Sequence, residues 1–326
     1  MSTPSRTLQA GPAQTLSGLG RTQRRSLPAR IYRSRLHYLF ILPSLVLLAV
    51  FMYYPAFSAL YHSFFDWDGF TRPTFLGLGN FTAILDDPLM QAATVNVLKL
   101  TAFAMATSVS VPLFVAWLIL GLRSPRLQYV FRVLFVIPLV LPTVVILLIW
   151  QFIYDANFGV LNQVITALHV GTPQAWLGDP KLALYAVMFI GLPWVDGFAL
   201  LVFTAGLQSI PNELLEAAAI DGAGRWRRLW HIQLPLVIGQ IKLILILNMI
   251  WTIQNFTSIF ILTQGGPGTA TMVPGLVLYK AAFESERMGY ACAIGALMFV
   301  LMLALTIINI KYVRSRTDYE PARQGL

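Results

Sequence analysis

Charge is what this chain has least of. Only 11% of its 326 residues are Asp, Glu, Lys or Arg, 57% are hydrophobic, and the mean hydropathy is +0.68. Soluble domains carry about 25% charged residues. Too few polar side chains remain here to cover a soluble globule, which excludes an ordinary water-soluble enzyme. Intrinsic disorder of the whole chain is excluded as well, because disordered chains are poor in apolar residues. Cysteine is almost missing. Cys292 stands alone among Ala and Ile, so no internal disulfide and no CxxC metal site is expected, and we read it as a small packing residue. His37, His62, His169 and His231 form no HExxH or other ligand spacing, so no metal site is expected. No GxxxxGK[ST] occurs and no Gly is followed by Lys. Lacking a phosphate-cradling loop and its lysine, the chain should bind no ATP of its own and carry no catalytic residue for hydrolysis.

What is present in abundance is the long apolar run. Residues 36–60, 97–120, 130–154, 182–207, 241–262 and 290–312 are each long enough for a bilayer, which needs roughly 20 residues per helix. The runs are continuous rather than alternating, so helices and not a barrel are expected. Pro43, Pro55, Pro112, Pro138, Pro142 and Pro193 fall inside them and predict kinks. Residues 1–35 hold seven arginines and no acid. We read them as a disordered basic tail and residues 314–326 as a second tail, with a six-span domain at 36–313 between. An even number of spans puts both termini on one side. That side collects 18 Lys and Arg against four on the other, with Lys99 at a span edge. The positive-inside bias makes both termini cytoplasmic. The aromatic-rich stretch 53–70 reads as an interfacial belt, or as a surface that receives a binding protein.

The fourth connection, 208–235, is longer than a bundle needs. Pro211, Glu213 and Glu216 suit a helix start, an Ala-rich run follows, and Gly222 and Gly224 are stop signals. The segment 225–233 forms a second short element. Two readings stand open at this point. One is a cytoplasmic docking knob whose small side chains admit another protein. The other is an amphipathic helix lying on the membrane through Trp226 and Trp230.

Polar residues inside spans are functional candidates. Asp196 sits mid-span, where a charge costs roughly 2.5–3.5 kcal/mol on insertion scales. It either accepts substrate hydroxyls or pairs structurally with Lys99 or a neighbouring helix. Pro193 and Gly197 beside it can open the helix. In the fifth span Asn248, Trp251, Thr252 and Asn255 fall at i, i+3, i+4 and i+7, one face of a helix. Amides, a hydroxyl and an indole make a sugar surface; they also make interhelical glue.

Glu216-Ala217-Ala218, three residues, Gly222, nine residues, Ile232, one residue, Leu234-Pro235 resembles the EAA loop of binding-protein-dependent ABC importer permeases. Asp221-Gly222-Ala223 and the preceding Gln208-Ser209-Ile210-Pro211 fit it too. Leu262-Thr263-Gln264-Gly265-Gly266-Pro267, then Thr271, Tyr279, Ala282-Phe283 and Gly289-Tyr290-Ala291, is similar to the corresponding segment of maltose-type sugar permeases, the first of two paired permeases. The resemblance covers about residues 36–315. It implies an all-α, six-helix type I importer core in a bacterial or archaeal cell membrane, with a cytoplasmic coupling helix. Glu216, Ala217, Ala218, Asp221 and Gly222 would engage the ATPase. Partners would be a second homologous permease, two ATP-binding cassette subunits holding ATP and Mg, and an extracytoplasmic solute-binding protein. Aligned on these motifs, Gly191, Trp194, Val195 and Phe198, with Asn248, Trp251, Thr252 and Asn255, occupy sugar-contacting positions, while most identities differ. The rival reading is an ion-coupled secondary transporter using Asp196. An intramembrane enzyme is disfavoured by the lack of a converging nucleophile and base.

Overall fold

The computed structural model describes residues 35–312; the two tail assignments fall largely outside them. The chain divides into two compact units, residues 1–56 and 57–326. The first holds helix α1 (Arg35–Leu48), which continues through Pro43, and a π-helical turn at Ala49–Tyr53. Leu39–His62, which includes helix α2 (Tyr54–His62), is apolar and long enough to cross a membrane.

The second unit opens with a two-stranded antiparallel hairpin, β1 (Phe65–Asp66) and β2 (Thr74–Phe75), with Phe65 opposite Phe75. Its bend is tied by Asp68, whose carboxylate accepts from the amides of Phe70 and Thr71 and from the Thr71 hydroxyl. Those hydrogen bonds, the Thr71 amide first, hold the Asp68 carboxyl below its usual range. His62 stacks on Trp67 with ring centroids 4.1 Å apart. The 53–70 stretch therefore folds partly into an ordered aromatic hairpin.

Helix α3 (Gly79–Asp86) leads into α4 (Pro88–Leu120), the longest element at 33 residues. It starts nine residues before the run expected at 97. Asp87 caps it by accepting from Leu89 N, and Pro88 occupies its first turn. At 1.5 Å per residue α4 spans about 50 Å, well beyond the ~30 Å hydrocarbon core. Lys99 lies inside this helix, eleven residues from its start. The helix continues through Pro112. It packs against helices α9, α13 and α15, whose bounds follow.

The third run is broken. Helix α5 (Pro125–Val136) passes through a 3-10 turn, Ile137–Val140, to an extended Leu141 before Pro142, and α6 (Thr143–Ile153) leaves at 96°. The residue before a proline is driven out of the helical region. Helix α7 (Val160–Ala167) follows. Its Asn162 side chain accepts from the Gln174 amide and the Trp176 indole N–H. The fourth run is α8 (Ala183–Met188) and α9 (Gly197–Gln208), and the fifth is α13 (Ile238–Gln254) and α14 (Thr257–Leu262). Helices α15 (Pro274–Phe283) and α16 (Met288–Tyr312) complete the described chain. Among the described residues three helices are unbroken and apolar enough to span, and up to six result by length and composition if the bent pairs 125–140 with 143–153, 197–208 with 212–220, and 225–236 with 238–254 each count as one.

Two apolar clusters hold the second unit. One joins Val97 of α4 to Ile259, Leu276 and Ile294. The other joins Leu113 and Trp117 of α4 to Leu200, Phe203, Leu229 and Ile244. α4 thus runs from one cluster to the other. Buried Asn96 strengthens the first by donating to the carbonyls of Thr269 and Met272, both at 3.0 Å. Replacing Asn96 with Leu strands those carbonyls. The expected loss is about 1–3 kcal/mol, read as a lowered unfolding midpoint of the detergent-solubilised protein.

Candidate translocation path and coupling loop

The fourth run opens where its polar residues are. After α8 the chain turns over at Gly191 and Trp194, both with left-handed backbone (φ 81° and 55°), before α9 begins. A left-handed tryptophan is held against its own preference by its surroundings. Its indole N–H donates to Met188 O at 3.0 Å, and its ring meets Phe103 and Phe189 edge-on at 5.5 and 5.2 Å. Asp196 is not at a helix centre, as its place in the apolar run suggested. It is the N-cap of α9, where its carboxylate accepts from Phe198 N at 2.8 Å. The same side chain that is costly inside a continuous span is favourable at a helix start, where unpaired amides and the positive dipole end lie. The partner its carboxylate finds is thus the start of its own helix and not Lys99.

The fifth run differs from expectation in a related way. α13 ends at Gln254, so Asn255 (φ −76°, ψ 105°) lies beyond the helix and does not continue the face of Asn248, Trp251 and Thr252. Its side chain lies over the next helix, close to the Ser258 amide and hydroxyl at 3.5 and 3.4 Å. No proline marks this break. Thr252 returns its hydroxyl to Asn248 O at 2.9 Å.

These breaks face one another. A cavity of about 510 Å³ is lined by Gly191, Trp194, Val195, Asp196 and Asn248, together with Thr107 and Trp150. An adjoining one of about 260 Å³ is lined by Trp194, Asn248, Trp251, Thr252, Asn255 and Phe103. Tertiary structure brings eight of the nine candidate path residues together. Phe198, 44% exposed on α9, lines neither. Sequence reading missed Phe103, Thr107 and Ser108 of α4 and Trp150 of α6. Thr107 and Ser108 were visible as hydroxyls within an apolar run, but they satisfy local carbonyls. Hydroxyls that bond their own helix are common in spans. The lining combines indole faces, two amides, threonine and serine hydroxyls and one carboxylate, a mix suited to a neutral polyhydroxylated solute.

At the other cluster, α9 is followed after a 67° bend by α10 (Asn212–Ile220). Glu213 lies in its first turn. Its end is a left-handed Gly222 (φ 79°), with Ala223 N donating to Ala218 O and Gly222 N to Ala219 O. This is the pattern of a Schellman stop. Open space surrounds a Cβ built at Gly222, so glycine is required there by backbone conformation. Glu216, Ala217, Asp221 and Gly222 are exposed and Ala218 is partly so. Leu215 packs inward against the cluster of Ile210 and Leu229. Helix α11 (Arg225–Arg228), a π-helical turn (Leu229–Gln233) and α12 (Leu234–Leu236) return the chain to α13. Trp226 touches Trp117 and Phe114 of α4 while remaining 58% exposed, and Trp230 is 63% exposed.

A helical bundle of interrupted membrane spans, with a small-residue helix on a loop at one end, is the architecture of an importer permease. Residues 108–319 match the family described as binding-protein-dependent transport system inner membrane component, and the chain belongs to that family. It is 33% identical over 280 residues to the probable ABC transporter permease protein YurN of Bacillus subtilis, covering 85% of this chain and 96% of the relative. It is 34% identical over 277 residues to the diacetylchitobiose uptake system permease NgcF of Streptomyces coelicolor, covering 81% and 77%. With the trehalose/maltose transport system permease MalF of Thermococcus litoralis it shares 32% over 286 residues, covering 87% and 96%. Its fold is similar to that of a bacterial ABC transporter involved in the import of alginate (TM-score 0.78, 22% identity, 89% of this chain and 99% of the other).

The cap on α9 can be tested by exchanging its acceptor. Asp196→Asn keeps a capping oxygen and should leave the unfolding midpoint nearly unchanged. Asp196→Leu should lose about 0.5–2 kcal/mol, measured by thermal unfolding in detergent.

Proposed function

We propose that this multi-pass membrane protein is one transmembrane subunit of an ATP-driven, binding-protein-dependent carbohydrate importer. The observation that carries the reading is the pairing of two features on one helical frame. At one place Trp194, Asn248, Trp251, Thr252 and Asn255 wall adjoining cavities; at the other an exposed helix presents Glu216, Ala217, Ala218, Asp221 and Gly222.

Relatives named for diacetylchitobiose, trehalose/maltose, multiple sugars and sulfoquinovosyl glycerol support a carbohydrate substrate. The lining chemistry agrees. Indole faces cover the apolar face of a sugar ring, and amides, Thr252 and Asp196 meet its hydroxyls. Gly191 and Val195 contribute backbone and bulk to the same wall, and the Phe198 amide donates to the Asp196 cap beside it. A single such chain supplies half of the path, with a second homologous permease as the other half. Trp251, 64% exposed beside the smaller cavity, faces the side where that partner would complete the wall.

The excess of 18 Lys and Arg over four puts both termini and the 208–235 loop in the cytoplasm of a bacterial or archaeal cell. There α10 docks into the ATPase, with Glu216 pairing a basic residue and the alanines allowing close approach. Two ATP-binding cassette subunits hold ATP and Mg, consistent with the absence of a phosphate loop in this sequence. A solute-binding protein delivers sugar on the opposite face; the relative of known structure solved with an alginate-pentasaccharide-bound periplasmic protein supports this arrangement.

Ala217→Trp puts a bulky ring on the exposed face of α10 without touching the interior. It should lower sugar uptake by at least about tenfold, the equivalent of 1.4 kcal/mol of lost contact, and reduce ATPase subunit recovered with the permease. Normal uptake in this variant contradicts the coupling role. Uptake by the purified chain alone, driven by an ion gradient, would replace the importer reading with a secondary transporter centred on Asp196.

A further inference from the structure

The loop that carries α10 is joined in sequence to α9 and α13, and both joints are bent by 67°. It is also attached to α4, which is remote in sequence. The Arg225 guanidinium lies over the Trp117 ring, 4.7 Å from its centroid. Trp226 meets Trp117 at 4.9 Å and stacks on Phe114 at 6.1 Å with the planes 17° apart. At the end of α4, Gly121 admits the Arg225 guanidinium into the space a Cβ would fill. Arg228 Nη1 donates to Leu215 O at 3.2 Å, tying α10 to α11. Between α10 and the ends of α4 and α9 lies a cavity of about 580 Å³, walled by Trp117, Gln208, Asn212, Leu215, Arg228 and Gln233. Direct packing of α10 on the core is interrupted there.

The far side of this attachment is the candidate path. Phe103, Ala104, Thr107 and Ser108 of the same unbroken helix line the two cavities. Thr107 and Phe103 stand ten and fourteen residues from Trp117, or about 15 and 21 Å along the axis.

We propose that Arg225 and Trp226, held on Trp117, Phe114 and Gly121, form a clamp that converts displacement of α10 into displacement of α4, and so of the Phe103–Ser108 wall of the path. The proposal rests on the importer reading above. A bend absorbs motion at each sequence-adjacent joint. The clamp joins the loop to a helix that continues through Pro112 to the path, by a guanidinium seated on an indole face and by stacked rings. Arg225 and Trp226 are accordingly positioning residues, acting on the path through α4.

The test uses the assembled complex in liposomes. The chain carries Thr107→Cys as reporter in a Cys292→Ala background. N-ethylmaleimide labelling is compared without nucleotide and after trapping with ATP, Mg²⁺ and vanadate. The parent should label at different rates in the two states. In Arg225→Ala/Trp226→Ala that difference should shrink by at least about fivefold, the lower end of coupling between sites, while ATP hydrolysis by the assembled complex continues. Arg225→Lys/Trp226→Phe, which keeps a cation and a ring, should recover most of it. If the double alanine variant does not assemble, Gly121→Leu displaces the guanidinium without altering the loop and should give the same loss. A labelling difference of parental size in the alanine or Gly121→Leu variant overturns the clamp and leaves the importer reading intact. So does a parent that hydrolyses ATP with no change at position 107. Failure of the parent to assemble with an ATPase overturns the importer reading itself.

Discussion

Inside hydrocarbon every backbone amide and carbonyl must be paired within the protein, and the rest of this structure depends on how α4 allows that rule to be relaxed. Among the described residues α4 is the one core helix that runs unbroken between both apolar clusters described above. Beside it the fourth and fifth runs are interrupted, and freed groups at those breaks find partners within the protein. Asp196 meets the first amides of α9, Asn255 sits over those of α14, and the Trp194 indole takes the Met188 carbonyl. The candidate path is therefore lined by helix ends, which offer polar groups held in place without a charge inside a continuous helix.

The two functional regions are built by different local rules. The candidate path relies on tertiary contacts among residues from four runs. The 208–235 loop relies on a short-range device, a nine-residue helix stopped at a left-handed glycine. Leu215 packs on the apolar cluster beside Ile210, while Glu216 and Ala217 are exposed together with Leu214 and Ile220. A helix this short is marginal in water by itself, so its order depends on the Leu215 anchor and the Arg228 hydrogen bond. Force received by such an element is passed on only through what it touches, which is why the contacts of Arg225 and Trp226 with α4 matter more than their exposure suggests.

Much of this was legible in the residues. The apolar runs, their number and the helical class follow from hydropathy alone. So does the coupling loop, because Pro, Glu, Ala and Gly in that order specify a short helix with defined ends through local chemistry. The spacing Asn248, Trp251, Thr252 also indicated a polar patch on one face. Less legible were the ends of elements. The nine extra residues of α4 hold Gln91, Thr94 and Asn96, which mask a helix in a hydropathy window, although Asp87-Pro88 was a start signal. Asp196 read as a mid-span charge because an apolar run does not reveal where its helix is interrupted. Asn255 read as part of a helical face because periodicity does not mark a break without proline or glycine.

What the sequence by itself determined is therefore the solvent, the class and one local element: a bilayer protein, all helical, with a short helix that stops at Gly222 in the 208–235 loop. These depend on composition and on interactions within a few residues. What only tertiary structure decided is which residues meet. The partnership of α4 with the broken runs, the shared wall of Thr107, Trp194 and Asn248, and the stacking of Trp226 on Trp117 each join residues tens to more than a hundred positions apart. Such contacts are selected by the packing of whole helices, and a local pattern carries no information about the surface that a distant helix will present.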